Sequence, residues 1–301
     1  MALYLVTGGC GFIGSHLGRS LVAAGHRVRI LDDLSTGRRE RAPGGAELVV
    51  GSILDAAAME AAMTGVEGCF HLAAIASVTR STEDWSGTHA VNLGGAVRVL
   101  EAAARRGIPV VYASSAAVYG EPERLPLDEG VEPRPLTAYG ADKLGCELHA
   151  RAGGLVHGLR SFGLRFFNVY GPGQDPHSPY SGVISRFCER IAAGQPVAIF
   201  GDGAQSRDFV HVADVVRHLS AALPMASGAA PVVNVCTGQA VTVGALAEAV
   251  MAAAGRRVPV EHAPARAGEI RHSVGSPEAA AQRFGFRAAT GLAAGLATIV
   301  G

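Results

Sequence analysis

Thr7-Gly8-Gly9-Cys10-Gly11-Phe12-Ile13-Gly14 lies between a short apolar run at 3–6 and a helix-compatible stretch at 11–24. Glycines at 8, 11 and 14 let the backbone turn tightly after a strand and approach a pyrophosphate. Such a group would sit at the helix N-terminus, where unpaired N–H groups and the helix dipole favour anions. A glycine pattern alone is a weak signal, but its place between strand and helix strengthens it. Asp32 closes the next apolar run, 18 residues after Gly14. A carboxylate there accepts from a ribose 2′-hydroxyl and repels a 2′-phosphate, which favours NAD over NADP. Arg38 and Arg39 would weaken that preference if they folded back.

Working outward, apolar runs at 3–6, 27–31, 47–50, 68–72, 109–113 and 163–167 read as buried strands. Helix-compatible stretches at 11–24, 56–63, 88–106 and 138–157 separate them. This alternation predicts an α/β fold with a doubly wound, Rossmann-type parallel sheet covered on both faces. After Phe167 the pattern changes to loop-forming Gly and Pro, then helix at 183–193, strand at 197–200, helix at 212–222, strand at 232–235 and helix at 243–254. The expected division is a nucleotide-binding domain at 1–170 and a smaller mixed α/β substrate-binding domain over most of 171–301, with some segments returning to the first.

Charge and composition narrow the function. The 26 basic and 26 acidic residues balance, and hydrophobic residues make up 49%. Without a basic tract, neither nucleic acid nor an anionic membrane surface is expected as a partner. No apolar run reaches the length of a membrane span. The five cysteines are scattered, with no C-x-x-C pair, so neither a disulfide framework nor a zinc site is expected. The N-terminus runs into the glycine loop without a basic leader. A cytoplasmic enzyme with no metal is the expectation.

Lys143 is the only lysine among the 26 Lys and Arg. A chain that uses Arg for every other cation keeps one compact ammonium with mobile donors, which Arg cannot replace. It follows Tyr139 by four residues, so a helix would place the two on one face, one turn apart. A cation beneath a phenol favours its use as a base. Upstream, Val110-Val111-Tyr112-Ala113-Ser114-Ser115 ends a strand with two hydroxyls. Taken alone, such serines are more often turn-formers.

Taken together, these features resemble the extended short-chain dehydrogenase/reductase family, most closely its nucleotide-sugar 4-epimerases of the UDP-galactose/UDP-glucose type. The likeness spans essentially the whole chain. It includes His71-Leu72-Ala73-Ala74, Asn92-Leu93-Gly94-Gly95, Leu164-Arg165-Phe166-Phe167-Asn168, Gln205-Ser206-Arg207-Asp208-Phe209 and Arg266-Ala267-Gly268-Glu269.

The resemblance implies that Tyr139 takes the proton from the sugar 4-hydroxyl while C4 gives hydride to NAD. Lys143 would bond the nicotinamide ribose, and Ser115 the same sugar oxygen. Gly8, Gly11, Phe12, Ile13, Gly14, Asp32, Ser52, Ile53, Leu72, Ala73, Ala74 and Asn92 would join Tyr139 and Lys143 in holding NAD. Ser114, Asn168, Val183 and Phe200 would line the UDP-sugar site. Arg207 and Arg266 would pair with the diphosphate, and Glu269 with the uridine ribose. Ser273 would flank the hexose C2 substituent, and being small would admit an N-acetyl group. A homodimer through the helices at 88–106 and 138–157 is likewise implied.

Relatives are weighed on local grounds. Sugar-nucleotide 4,6-dehydratases need an acidic pair after the catalytic serine or threonine, but Ala116 and Ala117 stand here. The glutamate that decarboxylases carry in that region is also missing. Asp175 after Gln174 argues against an acidic sugar, as in glucuronate 4-epimerases. Ser52 replaces the aspartate expected to cradle adenine. Three alternatives stay open: a UDP-glucuronate 4-epimerase, a net dehydrogenase or reductase of the same family, and a catalytically inactive NAD-binding protein.

Overall fold

The computed structural model describes residues 1–176, 182–265 and 270–300. Arg266 and Glu269 lie outside the described residues. The chain divides into two compact units. Unit 1 is Met1–Val118, Pro135–Arg165 and Val216–Val233; unit 2 is Tyr119–Arg134, Phe166–Val215 and Asn234–Gly301.

The first six strands are β1 (Leu3–Thr7), β2 (Arg27–Asp32), β3 (Glu47–Val50), β4 (Gly68–His71), β5 (Val110–Ser115) and β6 (Ser161–Phe166). After them come β7 (Asn168–Tyr170), β8 (Val197–Phe200), β9 (Ser206–Arg207), β10 (Phe209–His211), β11 (Val232–Val235), β12 (Val241–Thr242), β13 (Val260–Ala263) and β14 (His272–Ser273). A seven-stranded sheet runs in the order β11-β6-β5-β4-β1-β2-β3. Leu3 pairs with Arg27, Tyr4 with Gly68, Arg29 with Glu47 and Cys69 with Val110, all in parallel register. Strand order reverses beside β1, so the crevice at the carboxyl ends of β1 and β4 is where such a sheet takes a ligand. The parallel sheet predicted from the apolar runs is present, and β11, from the part of the chain after Phe167, is its edge strand.

Both faces of this sheet are covered, which is why its strands are apolar without alternation. Helices α1 (Phe12–Ala23), α2 (Ala56–Met63), α5 (Ala96–Arg106) and α6 (Ala138–His157) supply the cover, and the short α3 (Val78–Glu83) and α4 (Trp85–His89) pack on α6. Leu5, Val99, Ala103, Val110 and Ala150, all with no exposed surface, belong to one core cluster. Each fully buried Val or Leu contributes about 1.5–3 kcal/mol. The single helix predicted at 88–106 is interrupted: α4 gives way to a π-helical turn at Ala90–Gly95 before α5 begins. That turn brings Asn92 to the backbone of Ile75, whose N–H and carbonyl both bond its amide, at 2.8 and 3.1 Å.

Unit 2 has its own core, in which Ile191, Val197, Leu246 and Val250 are wholly buried. In it β7 pairs with β10, β8 with β13, and β9 lies between β12 and β14. Asp208, wholly buried, accepts from Thr237 N and Oγ1 and from Gly238 N at 2.7–2.8 Å, which fixes the chain beside Arg207. Burial raises its carboxyl above the usual range, and those hydrogen bonds oppose the rise.

Candidate active site

The glycine loop leaves β1 at Thr7 and enters α1 at Phe12. Gly8 has φ of 69°, and a Cβ there would stand 2.7 Å from the backbone nitrogen of Ala73. A Cβ on Gly14 would strike the carbonyl oxygen of Gly8. Only glycine permits this close packing of loop, helix and β4, and the resulting bare backbone is a cradle that a diphosphate fits. Asp32 ends β2, its Oδ2 accepting from Cys10 N and its Oδ1 from Leu34 N, both at 2.9 Å. Each oxygen keeps a further lone pair for a ribose hydroxyl. Burial pushes this carboxyl up, and the two backbone donors counter it. The same burial lifts the Cys10 thiol to about 11, so it stays protonated within the loop.

After β4 the chain passes through Leu72, Ala73 and Ala74. Thr7 Oγ1 accepts from the N–H groups of Leu72 and Ala73 at 3.3 Å, and lies 2.8 Å from His71 Nδ1. Burial, and then the positive charge of Lys143, holds the imidazole neutral by lowering its pKa to about 3. Asn92, expected to contact the cofactor, bonds both the N–H and the carbonyl of Ile75 through its amide, and still keeps one N–H and one lone pair for a ligand. Ser52 Oγ accepts from Leu54 N at 3.1 Å and caps its own turn, while Ile53 is buried.

Helix α6 begins at an N-cap, Thr137, whose hydroxyl accepts from Gly140 N at 3.1 Å. A Cβ on Gly140 would lie 2.6 Å from the carbonyl oxygen of Ala117. That contact draws the first turn of the helix, with Tyr139, onto the turn that follows Ser115. Lys143 is buried; its Nζ donates to Ala113 O at 2.9 Å and stands 5.9 Å from the Tyr139 ring centroid. Ser115 Oγ accepts from Ala117 N at 3.1 Å, leaving its own hydrogen to donate outward. Ser114, by contrast, is buried and directs its hydroxyl to Glu147.

In unit 2, Asn168, Val183, Phe200 and Arg207 meet around a cavity of about 350 Å³. Arg186 and Arg190 line it too. They were missed in the sequence, although their i, i+4 spacing on α7 (Val183–Ala192) puts them on the face of a helix that begins at Val183. Arg207 is steadied by the carbonyls of Ser206 and Arg271, at 2.9 and 3.2 Å. Ser273, half-buried, stands opposite Arg207 in the β9–β14 ladder.

Chemically, unit 1 offers a nucleotide cradle beside a serine, a tyrosine and an anchored lysine, whereas the cavity of unit 2 offers arginines for an anion. Among the described residues no His, Cys, Asp and Glu cluster is suited to a metal, and no helix is long and apolar enough to cross a membrane.

A helix that sets tyrosine and lysine one turn apart beside a strand ending in serine is the working part of an extended short-chain dehydrogenase/reductase. Within that class, the chain belongs to the NAD dependent epimerase/dehydratase family, whose profile matches residues 4–236. It is 38% identical over 304 residues to a UDP-glucose 4-epimerase of Mycolicibacterium smegmatis, covering 98% of this chain and 96% of that one. A UDP-glucose 4-epimerase of Thermus thermophilus, solved in complex with NAD, superposes with a TM-score of 0.92 at 38% identity, covering 99% of this chain and 97% of that one. A UDP-N-acetylglucosamine 4-epimerase of Methanobrevibacter ruminantium, in complex with UDP-N-acetylmuramic acid, gives 0.94 at 32% identity, again covering 99% and 97%.

Proposed function

We propose that the protein is an isomerase that interconverts UDP-hexoses at C4, with NAD as its cofactor, through a transient 4-keto sugar. The observation that carries this reading is Lys143, fixed to the end of β5 and standing one helical turn from Tyr139. NAD, when bound, supplies a reversible hydride acceptor, and the glycine cradle, Asp32 and Lys143 are the groups that would hold it. Tyr139 takes the proton of the sugar 4-hydroxyl and later returns it. Ser115, whose oxygen already accepts from Ala117 N, donates to the same sugar oxygen. Ala116 and Ala117 carry no acid or base, so the 4-keto sugar meets no group that would eliminate water, and taking back hydrogen on its other face completes the epimerisation.

Arg207 and the neighbouring Arg186 suit the substrate diphosphate, since a guanidinium pairs with phosphate in bidentate fashion. Asn168, Val183 and Phe200 receive the rest of the nucleotide sugar, with Arg266 and Glu269 completing the set. The substrate unit follows from this as unit 2, and the NAD unit as unit 1. The small Ser273 supports acceptance of N-acetylated hexoses beside the plain ones. A homodimer belongs to the same reading: α6 leaves Leu148, Leu155 and Val156 58%, 77% and 73% exposed. Beside them, a groove of about 510 Å³ lies between α5 and α6. A cytoplasmic location belongs to the same reading.

The test is to incubate the protein with UDP-glucose, UDP-galactose and their N-acetyl counterparts, and to separate the 4-epimers. Epimers forming without added NAD, on protein that keeps NAD through dialysis, support the reading. Net oxidation that consumes added NAD supports a dehydrogenase instead. Sedimentation at micromolar concentration tests the dimer.

A further inference from the structure

Glu147 lies one helical turn beyond Lys143 and two beyond Tyr139, so the three share a face of α6. It is 8% exposed and its partner Arg165, on β6, is 5% exposed. Arg165 grips it as a fork: Nε to Oε1 at 2.9 Å, and Nη2 to Oε2 at 2.7 Å. Ser114 Oγ donates to the same Oε1 at 2.5 Å.

A buried ion pair of this kind is a poor source of stability, because desolvating both charges offsets their attraction. Its placement suggests a different use. Lys143 holds the carbonyl of Ala113 and Glu147 holds the hydroxyl of Ser114, so successive turns of α6 clamp successive residues of β5. The next residue is Ser115. The guanidinium of Arg165 also balances the carboxylate.

We propose that Glu147, held by Arg165, is a positioning residue: through Ser114 it fixes the strand end that carries Ser115 against the helix face that carries Tyr139 and Lys143. The proposal rests on the epimerase reading above.

The experiment compares the parent with Ser114→Ala, Ser114→Thr and Glu147→Gln, each checked for folding by circular dichroism. It reads kcat and KM with UDP-glucose, and amide hydrogen exchange over residues 113–117. Ser114→Ala and Glu147→Gln are expected to lower kcat roughly 10- to 100-fold with KM within about twofold, since small misplacements of reacting groups act on turnover. Exchange over 113–117 should quicken in both, and Ser114→Thr, which keeps the hydroxyl, should restore both readouts. Parent-like kcat and exchange in folded variants would overturn the proposal. So would a loss confined to KM, which would make Ser114 a substrate contact. If Glu147→Gln does not fold, the Ser114 pair decides. A parent that epimerises nothing refutes the functional reading, and the exchange data then decide the clamp alone.

Discussion

Lys143 donates to the carbonyl of Ala113 at 2.9 Å while its ammonium stands 5.9 Å from the ring centre of Tyr139. One donor of three fixes it to the sheet; the other two remain for a ribose. A guanidinium has its donors in a rigid plane and cannot divide them in this way. Lys143→Arg is therefore expected to keep the fold yet lose turnover by roughly 10²-fold or more, with weaker NAD retention. Steady-state kinetics and the absorbance of retained NAD after dialysis check this, and a fully active variant would refute it.

Tyr139→Phe removes one oxygen and leaves the half-buried ring in place. Bound NAD and melting temperature should match the parent, while kcat falls by roughly 10²–10⁴, the usual range for losing an acid–base group. Near-parental epimerisation would mean that another group moves the proton.

Local spacing made part of this molecule legible and left part of it hidden. Buried parallel strands read as apolar runs, so β1 to β5 could be located from the sequence alone, and four residues on a helix sufficed to predict Tyr139 and Lys143 on one face. The interruption at Ala90–Gly95 escaped, because the Asn92–Ile75 contact made there is tertiary, and spacing along a helix does not reveal it. Glu147 and Arg165 were both in view as sequence, but only the β5–β6 neighbourhood brings them together. The short strands β9, β12 and β14 had no signal, since two-residue ladders have no periodicity to detect.

Ser273→Tyr tests sugar choice. Ser273 pairs with Arg207 across a short parallel ladder, so its side chain adjoins the proposed diphosphate anchor. A phenol there fills space that an acetamide would need. Turnover of UDP-N-acetylglucosamine should fall at least about tenfold relative to UDP-galactose, measured as a ratio of kcat/KM. An unchanged ratio would show that the residue does not face the hexose.

His71 gives a pH prediction. Its folded pKa is lowered to about 3 by burial and by Lys143, whereas the unfolded chain takes up this proton near 6.5. The unfolded state therefore binds the extra proton between those values. The stability linked to His71 is complete above about pH 6.5 and is lost as pH falls towards 3, with a slope of up to about 1.4 kcal/mol per pH unit. His71→Asn removes the titration, so urea unfolding between about pH 4 and 6 should depend on pH less steeply than in the parent. Equal slopes would disprove the assignment.

The amide of Asn92, paired on both sides with Ile75, has a consequence for binding. The shelf formed by Leu72, Ala73 and Ala74 is tied down on one side by Thr7 Oγ1 and on the other by Asn92 through Ile75. The entropy lost in ordering it is charged to folding, before any nucleotide arrives. A dinucleotide then meets a surface already set, and its own contacts go into affinity rather than into organising the loop beneath it.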